Sequence, residues 1–162
     1  MQRLHPPELP LTGGCPCAAV RFAVNAMPLL IFACHCTECQ RWSGGAFGLS
    51  MPVRRDSFAL TRGMAKPWRH TGASGFESTY SFCADCGGRI FGERADRPRI
   101  VTLRAGTLDD TSWVRPIAHI CLESAQAWER IPNNAACFQG VAKDFGALSN
   151  EWQSLWKQTE PI

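Results

Sequence analysis

The feature that most constrains this 162-residue chain is its set of nine cysteines: Cys15, Cys17, Cys34, Cys36, Cys39, Cys83, Cys86, Cys121 and Cys137. The first seven fall into tight groups. Cys15-Pro16-Cys17 and Cys34-His35-Cys36 are C-x-C pairs, Cys83-Ala84-Asp85-Cys86 is a C-x-x-C pair, and Cys34 to Cys39 holds three thiols within six residues. Cysteines so close in sequence seldom bridge one another, because a disulfide needs a particular Cα separation and torsion. They converge readily on a metal, where each thiolate has only to point at one centre about 2.3 Å away. The count is odd, and Met1 to Thr12 carries Pro6, Pro7 and Pro10 but no apolar stretch that would read as a secretory signal. A disulfide framework is therefore not expected.

Three ionised thiols packed into Cys34–Cys39 repel one another unless a cation sits among them. Zinc suits such a set, being borderline-soft, redox-inert and content with sulfur. An iron–sulfur cluster normally wants four cysteines in a wider loop. A thioredoxin-like redox pair wants a strand–loop–helix context, which the pattern around neither C-x-x-C supports. Cys121 and Cys137 stand alone and read as small buried hydrophobes.

The length suggests one domain. We expect a loose arm over residues 1–12 and a single zinc-binding domain over 13–162. With 45% apolar and 19% charged residues, the chain reads as globular and not disordered. The formal charge is +3, and the densest basic cluster, Arg94, Arg97 and Arg99, is interleaved with Glu93 and Asp96. That is not the basic stripe of a nucleic-acid binder, so no nucleic-acid partner is expected; a small anionic ligand would suit a mild positive field. The most apolar run, Ala26 to Cys34, is interrupted by Pro28 and falls short of the about 20 residues of a membrane span. The expectation is a cytoplasmic protein with no membrane partner.

The pattern is strand-rich. Val20, Phe22 and Val24 alternate with Arg21 and Ala23, and Phe76, Ser78, Tyr80 and Phe82 alternate with Glu77, Thr79 and Ser81 on the way into Cys83. Leu29–Ala33, Ala46–Val53, Phe58–Thr61, Trp68–Thr71 and Ile117–Leu122 read as further strands, with Pro52 marking an edge or an end. Arg89–Glu93 and Ile100–Arg104 form an expected hairpin, and Gly72-Ala73-Ser74-Gly75 an expected turn. Ser149-Asn150-Glu151 would cap a short helix carrying Trp152, Leu155 and Trp156 on one face, packed on a sheet. Gly87-Gly88 after the second knuckle would let backbone amides turn toward thiolate sulfur.

Gly13-Gly14-Cys15-Pro16-Cys17, Val20-Arg21-Phe22, Cys34-His35-Cys36-Thr37-Glu38-Cys39-Gln40-Arg41 with Ser43-Gly44, and Phe82-Cys83-Ala84-Asp85-Cys86-Gly87-Gly88 together resemble the glutathione-dependent formaldehyde-activating enzyme family. His119-Ile120 followed by Trp128 is similar to that family's C-terminal signature. The resemblance covers roughly residues 12–130. It implies a mainly β fold of the β-tent kind, with several antiparallel sheets and a short C-terminal helix. It also implies two zinc ions per chain: a closed structural site at Cys15, Cys17, Cys83 and Cys86, and a catalytic site with an open position at Cys34, Cys36 and Cys39. From spacing alone, Cys36/Cys39 and Cys83/Cys86 could instead share one zinc-ribbon site.

Four thiolates close a tetrahedron, whereas three leave a vacancy for substrate. The implied activity is that of a carbon–sulfur lyase joining glutathione and formaldehyde. A thiol brought to the open position would lose its proton, and its thiolate would add to the aldehyde carbon without hydride transfer. Three thiolates outweigh the charge of one zinc, so the metal there would be a weak Lewis acid, loosely held. His35 would relay a proton or, as a lone histidine, sit at the surface or behind the ligands; Arg21 and Arg41 lie near the motifs as partners for glutathione carboxylates. The same site with another thiol or aldehyde, and a non-catalytic scaffold, are the competing readings.

Overall fold

The computed structural model describes residues 5–72 and 75–157. Ala73 and Ser74 of the expected turn, and the first four residues of the expected arm, lie outside them. Along the chain run β1 (Leu11–Gly14), β2 (Arg21–Val24), β3 (Phe32–Cys34), α1 (Thr37–Ser43), β4 (Gly48–Arg54), β5 (Phe58–Arg62), β6 (Ala65–Thr71), β7 (Glu77–Cys83), β8 (Arg89–Arg94), β9 (Ile100–Arg104), β10 (Ala118–Ile120), β11 (Ala136–Cys137) and α2 (Phe145–Lys157). Among the described residues this is a mainly β protein of eleven strands in two sheets, with two α-helices, the second near the C-terminus. The chain forms two compact units, one of Pro7–Pro28 and Met51–Ser112, the other of Leu29–Ser50 and Trp113–Ile162 with the first six residues.

In the unit of Pro7–Pro28 and Met51–Ser112, β2 lies between β1 and β5, antiparallel to both. The expected alternation holds: Phe22 and Val24 are buried, while Arg21 and Ala23 are only partly so. Phe22 stacks toward Phe58 at 5.9 Å, and Phe58 toward Phe91 at 5.0 Å between centroids. Burying each such ring is worth about 1.5–3 kcal/mol. β6, β7, β8 and β9 form an antiparallel run in that order. The alternation read along β7 does not turn its aromatic residues to the core: Tyr80 and Phe82 are half-buried and Phe76 is exposed, while Ser78 and Ser81 are buried. The Arg89 guanidinium lies 3.6 Å over the Tyr80 ring, and Trp68 stacks on His70 at 4.9 Å. A register irregularity between Ser81 and Phe82 breaks the alternation, and Cys83 ends the strand buried.

In the unit of Leu29–Ser50 and Trp113–Ile162, β10 runs parallel to β3 on one side and to β11 on the other, and β3 pairs antiparallel with β4. The β3–β4 pairing covers Gly48–Ser50 and stops before Pro52, which has no N–H to offer a ladder. α2 begins earlier than the sequence suggested, because Asp144 is its cap: Asp144 Oδ1 accepts from the Ala147 N–H at 2.9 Å. Ser149 lies inside the helix and donates its hydroxyl to Leu29 O at 2.8 Å. Trp152 and Trp156 are buried as expected, their rings 5.3 Å apart and edge to face, and Phe145 meets Phe32 edge-on at 5.3 Å.

Gly13 is where a glycine is required by close approach. A Cβ there would fall 2.5 Å from Phe22 Cζ and well inside contact with the Thr107 carbonyl oxygen. Because one of those neighbours is backbone, Gly13→Ala is expected to cost about 2–4 kcal/mol and to lower the melting temperature by about 5–15 °C. A melting temperature within two degrees of the parent, followed by circular dichroism, would contradict this packing.

Candidate metal and thiol centres

The chain brings the seven grouped cysteines together as two sets. Among the described residues, Cys15, Cys17, Cys83 and Cys86 have sulfurs all within 4.8 Å of one another, and so, separately, do Cys34, Cys36 and Cys39. The alternative of one ribbon site made from Cys36/Cys39 and Cys83/Cys86 is not the grouping found.

The four-cysteine set is built from two knuckles. The first follows β1: Cys15 N–H bonds to Val20 O, Ala18 N–H returns to Cys15 O at 2.9 Å, and Ala18 adopts a left-handed φ of 60° to close the turn. The second follows β7: Gly87 N–H reaches Cys83 O at 3.0 Å, Cys83 N–H reaches Gly88 O at 2.9 Å, and Gly87 has φ 71°. The Gly88 amide also donates to the Cys86 sulfur, as the paired glycines suggested. The sulfurs of Cys15 and Cys17 are 3.5 Å apart, and those of Cys17 and Cys83 are 3.7 Å apart. A tetrahedral zinc with bonds of about 2.3 Å spaces its sulfurs about 3.8 Å apart, so the donor set fits that ion. Burial resists ionisation of Cys15, but the Val20 N–H and the neighbouring thiols outweigh it and lower its pKa to about 6. At Cys17 the Ala19 N–H acts to lower the pKa, yet hydrogen bonding with Cys15 and Cys86 prevails and pushes it up to about 12. Adjacent sulfurs cannot all be anions without a cation among them.

The three-cysteine set sits where β3 passes into α1. Cys34 ends the strand. Cys36 is the N-cap of the helix, with φ −61° and ψ 151°, and its sulfur accepts from the Cys39 N–H at 3.4 Å. Cys39 lies in the first turn, and Gly44 closes the helix in the left-handed region at φ 64°, its N–H on Gln40 O. The sequence reading foresaw no helix here, because a cysteine is not among the usual N-cap residues. It also saw no strand–loop–helix context for a C-x-x-C pair, whereas Cys36 and Cys39 stand at such a junction. What sets them apart from a redox pair is the third thiol, with Cys34 Sγ 3.5 Å from Cys36 Sγ. Hydrogen bonds from Cys34 and Cys39, helped by the Cys39 and Glu38 N–H groups, lower the Cys36 pKa to about 2 against the effect of burial. Those same bonds to Cys36 and Cys39, and then burial, hold the Cys34 thiol far above its ordinary value.

Three residues near this set depart from expectation. His35 is neither at the surface nor alone: it is fully buried, and its Nε2 lies 2.9 Å from Nδ1 of buried His119. Both rings pack on Phe47, at 5.2 and 6.3 Å. Burial lowers both histidine pKa values, with Glu129 acting weakly the other way, so the pair is neutral at pH 7. His35 Nδ1 and His119 Nε2 have no hydrogen-bond partner. Cys121 is buried as expected but has φ 59°, and its thiol hydrogen-bonds to Cys34. Cys137 was expected buried and is exposed, its sulfur 3.4 Å from Ala135 O.

The arginines divide. Arg21 is committed to Asp109, which it meets through both guanidinium nitrogens and which also accepts from Thr12 Oγ1 at 2.6 Å. Arg41 is exposed in the last turn of α1. Sequence reasoning missed Gln40, whose side-chain amide reaches both His35 O at 2.6 Å and Ser124 O at 2.7 Å. Its position right after Cys39 was the only signal.

A mainly β protein with a four-thiol and a three-thiol cluster has two cysteine groups that could each hold a metal ion. A family model described as glutathione-dependent formaldehyde-activating enzyme matches residues 10–124, and the chain belongs to that family. Members of the family are enzymes acting on glutathione and formaldehyde. A solved crystal structure of a Rhodobacter sphaeroides protein is similar in fold, with a TM-score of 0.51 and 21% identity, covering 65% of this chain and 92% of that one.

The opposed pKa shifts in the three-thiol set give a measurable order. In metal-free protein at pH 6, Cys36 is above its pKa and ionised, while Cys34 is below its own and protonated. Brief alkylation with iodoacetamide, mapped by peptide mass spectrometry, should therefore label Cys36 well before Cys34. Equal labelling of the two would mean that the hydrogen bonds from Cys34 and Cys39 do not set the Cys36 thiol apart.

Proposed function

We propose that the chain is a zinc-dependent carbon–sulfur lyase that joins a small thiol, glutathione in the first instance, to formaldehyde and splits the adduct in reverse. The observation that carries this reading is the pairing of one four-thiol cluster with a separate three-thiol cluster. In it, Cys15, Cys17, Cys83 and Cys86 would hold a structural zinc, and Cys34, Cys36 and Cys39 would hold a catalytic zinc that could accept a substrate thiol. Zinc bound at the trio would supply a site at which an incoming thiol loses its proton.

The residues have distinct tasks. Cys36 is poised as a thiolate by hydrogen bonds from Cys34 and Cys39, with help from the N–H groups at the helix start, and needs little driving to become a ligand. Cys34 must give up a proton, which its burial opposes until a cation is present. His35, between Cys34 and Cys36 in the chain, and His119 are buried and hydrogen-bonded to each other, so this neutral pair fixes the ring of the residue that joins two of the thiols. In the reaction the substrate sulfur forms a bond to the formaldehyde carbon. The carbonyl π pair moves to oxygen, which takes a proton, and no electrons are lost or gained. The product is the S-hydroxymethyl thioether, and the reverse cleavage returns thiol and aldehyde.

Residues 13–162 would then act as one functional domain. No described helix is long and apolar enough to cross a membrane, and none of the nine cysteines is joined in a disulfide, which suits a reducing cytoplasm. A different thiol or aldehyde remains compatible with the same trio, and a bare scaffold would need only the four-cysteine set.

Two variants separate the roles. Cys36→Ser should leave the fold intact, lower the zinc content from two ions per chain to one, and reduce adduct formation at least about a hundredfold. Cys83→Ser should unfold or aggregate the protein, since structural zinc sites carry about 10–16 kcal/mol of apparent binding energy. The decisive measurement is adduct formation from glutathione and labelled formaldehyde by NMR, with cysteine and coenzyme A as rival thiols. A parent protein holding one zinc and accelerating none of these additions would leave only the scaffold.

A further inference from the structure

We propose that Gln40 is a positioning residue for the three-cysteine centre, locking the turn of Cys34, Cys36 and Cys39 onto the 119–126 segment and so fixing how the three sulfurs converge. This rests on the reading that the trio holds a metal.

The Gln40 amide is used to its full capacity on one side and tied on the other. Its nitrogen lies 2.6 Å from His35 O and 2.7 Å from Ser124 O, which matches the two N–H groups it owns. Its oxygen accepts from Gln126 Nε2 at 2.7 Å. The backbone of Gln40 is fixed as well, its N–H on Cys36 O at 3.0 Å and its carbonyl under the Gly44 N–H. The side chain thus curls from the helix back to the carbonyl that separates Cys34 from Cys36. The N–H of that same residue, His35, is held by Ile120 O at 2.9 Å.

The His35 peptide is therefore pinned at its nitrogen by β10 and just past its Cα by Gln40. The Cys34 and Cys36 sulfurs hang on either side of it, and a rotation of this backbone would change their 3.5 Å separation. Ser124, the other anchor, stands 84 positions away in sequence. No thiol in the trio can supply this restraint, because each is engaged with another sulfur or with an N–H of the turn. A trio of thiolates around one divalent ion carries excess negative charge, so the ion is retained by geometry more than in a neutral donor set. Hydrogen-bonding groups around metal ligands typically change affinity by about 10–100-fold.

Gln40→Glu is the sharp test. It keeps the length and the acceptor for Gln126 but removes both donors. The full-length protein is loaded with cobalt(II) in place of zinc, and the thiolate-to-cobalt charge-transfer and ligand-field bands are recorded while a chromophoric chelator competes. The parent should hold two ions per chain. Gln40→Glu should keep its far-UV spectrum and the tighter ion, lose affinity for the second at least about tenfold, and show a weakened ligand-field band from that site. Gln126→Ala, at an exposed position, should lose about two- to fivefold by the same effect. Unchanged affinity and bands in Gln40→Glu would overturn the proposal. Should that variant not fold, Gln126→Ala decides, and parent-like binding there overturns it equally. A parent protein that takes up only one ion removes the reading of the trio as a metal centre before any variant is made, and the role of Gln40 goes with it.

Discussion

Sulfur atoms held 3.5 to 3.7 Å apart are the constraint on which the rest of this structure depends. At that spacing thiols can share protons, but they cannot all become anions without a positive charge among them. The pKa values record this frustration: within each cluster one thiol is driven down and another up. A fold that assembles such clusters from separate parts of the chain works against itself unless a cation resolves the conflict. The backbone around both clusters is arranged for that outcome. Amides of Val20, Gly88 and Cys39 point at sulfur, and each such bond favours the thiolate over the thiol.

The strain in the chain lies in the same places. Among the described residues, Ala18 and Cys121 are the two non-glycine residues with positive φ, at 60° and 59°. For an L-residue that conformation costs about 1–2 kcal/mol. Ala18 follows directly on Cys17, and Cys121 sets its thiol against Cys34. Neither site offers a glycine where one would relieve the cost. Backbone strain tolerated only beside the two thiol clusters indicates that their geometry, and not the sheets, is what the local sequence serves.

Much of this was legible in the sequence because cysteine spacing is a geometric statement. Two residues bound to one centre must sit on a tight turn, so C-x-C and C-x-x-C announce knuckles whatever surrounds them. The strands flanking them were legible from period-two alternation, as at Phe22 and Val24. Four things were hidden. The helix after Cys36 was hidden because its cap is a thiol and its seven residues bury no apolar face. The β7 stripe was misread because aromatic residues on a sheet need not face the core when a guanidinium can cover them, as Arg89 covers Tyr80. The His35–His119 pair was hidden because the two residues meet only through a parallel pairing of β3 and β10, and parallel partners leave no local signature. The true start of α2 at Phe145 was missed for a simpler reason: Asp144 and Ser149 are both good caps, and only packing decides between them.

On the proposed reading, the neutrality of that histidine pair also decides how the trio behaves. A protonated histidine behind three thiolates would offset their excess charge, tighten the metal and blunt its exchange with an incoming thiol. Burial opposes this, since charging either ring inside the protein would forfeit its hydration, and the Glu129 carboxylate offsets only part of that cost. The trio would be left negatively charged, and it is His35, between Cys34 and Cys36, that neutral groups restrain: Ile120 O, Gln40 and His119. Such a centre discriminates by shape and by hardness of the donor. It can admit one more sulfur only if that sulfur arrives as a thiol and leaves its proton with solvent or product. On the same reading a closed four-thiol cluster would have no such option, so that one arrangement would hold structure while the other did chemistry.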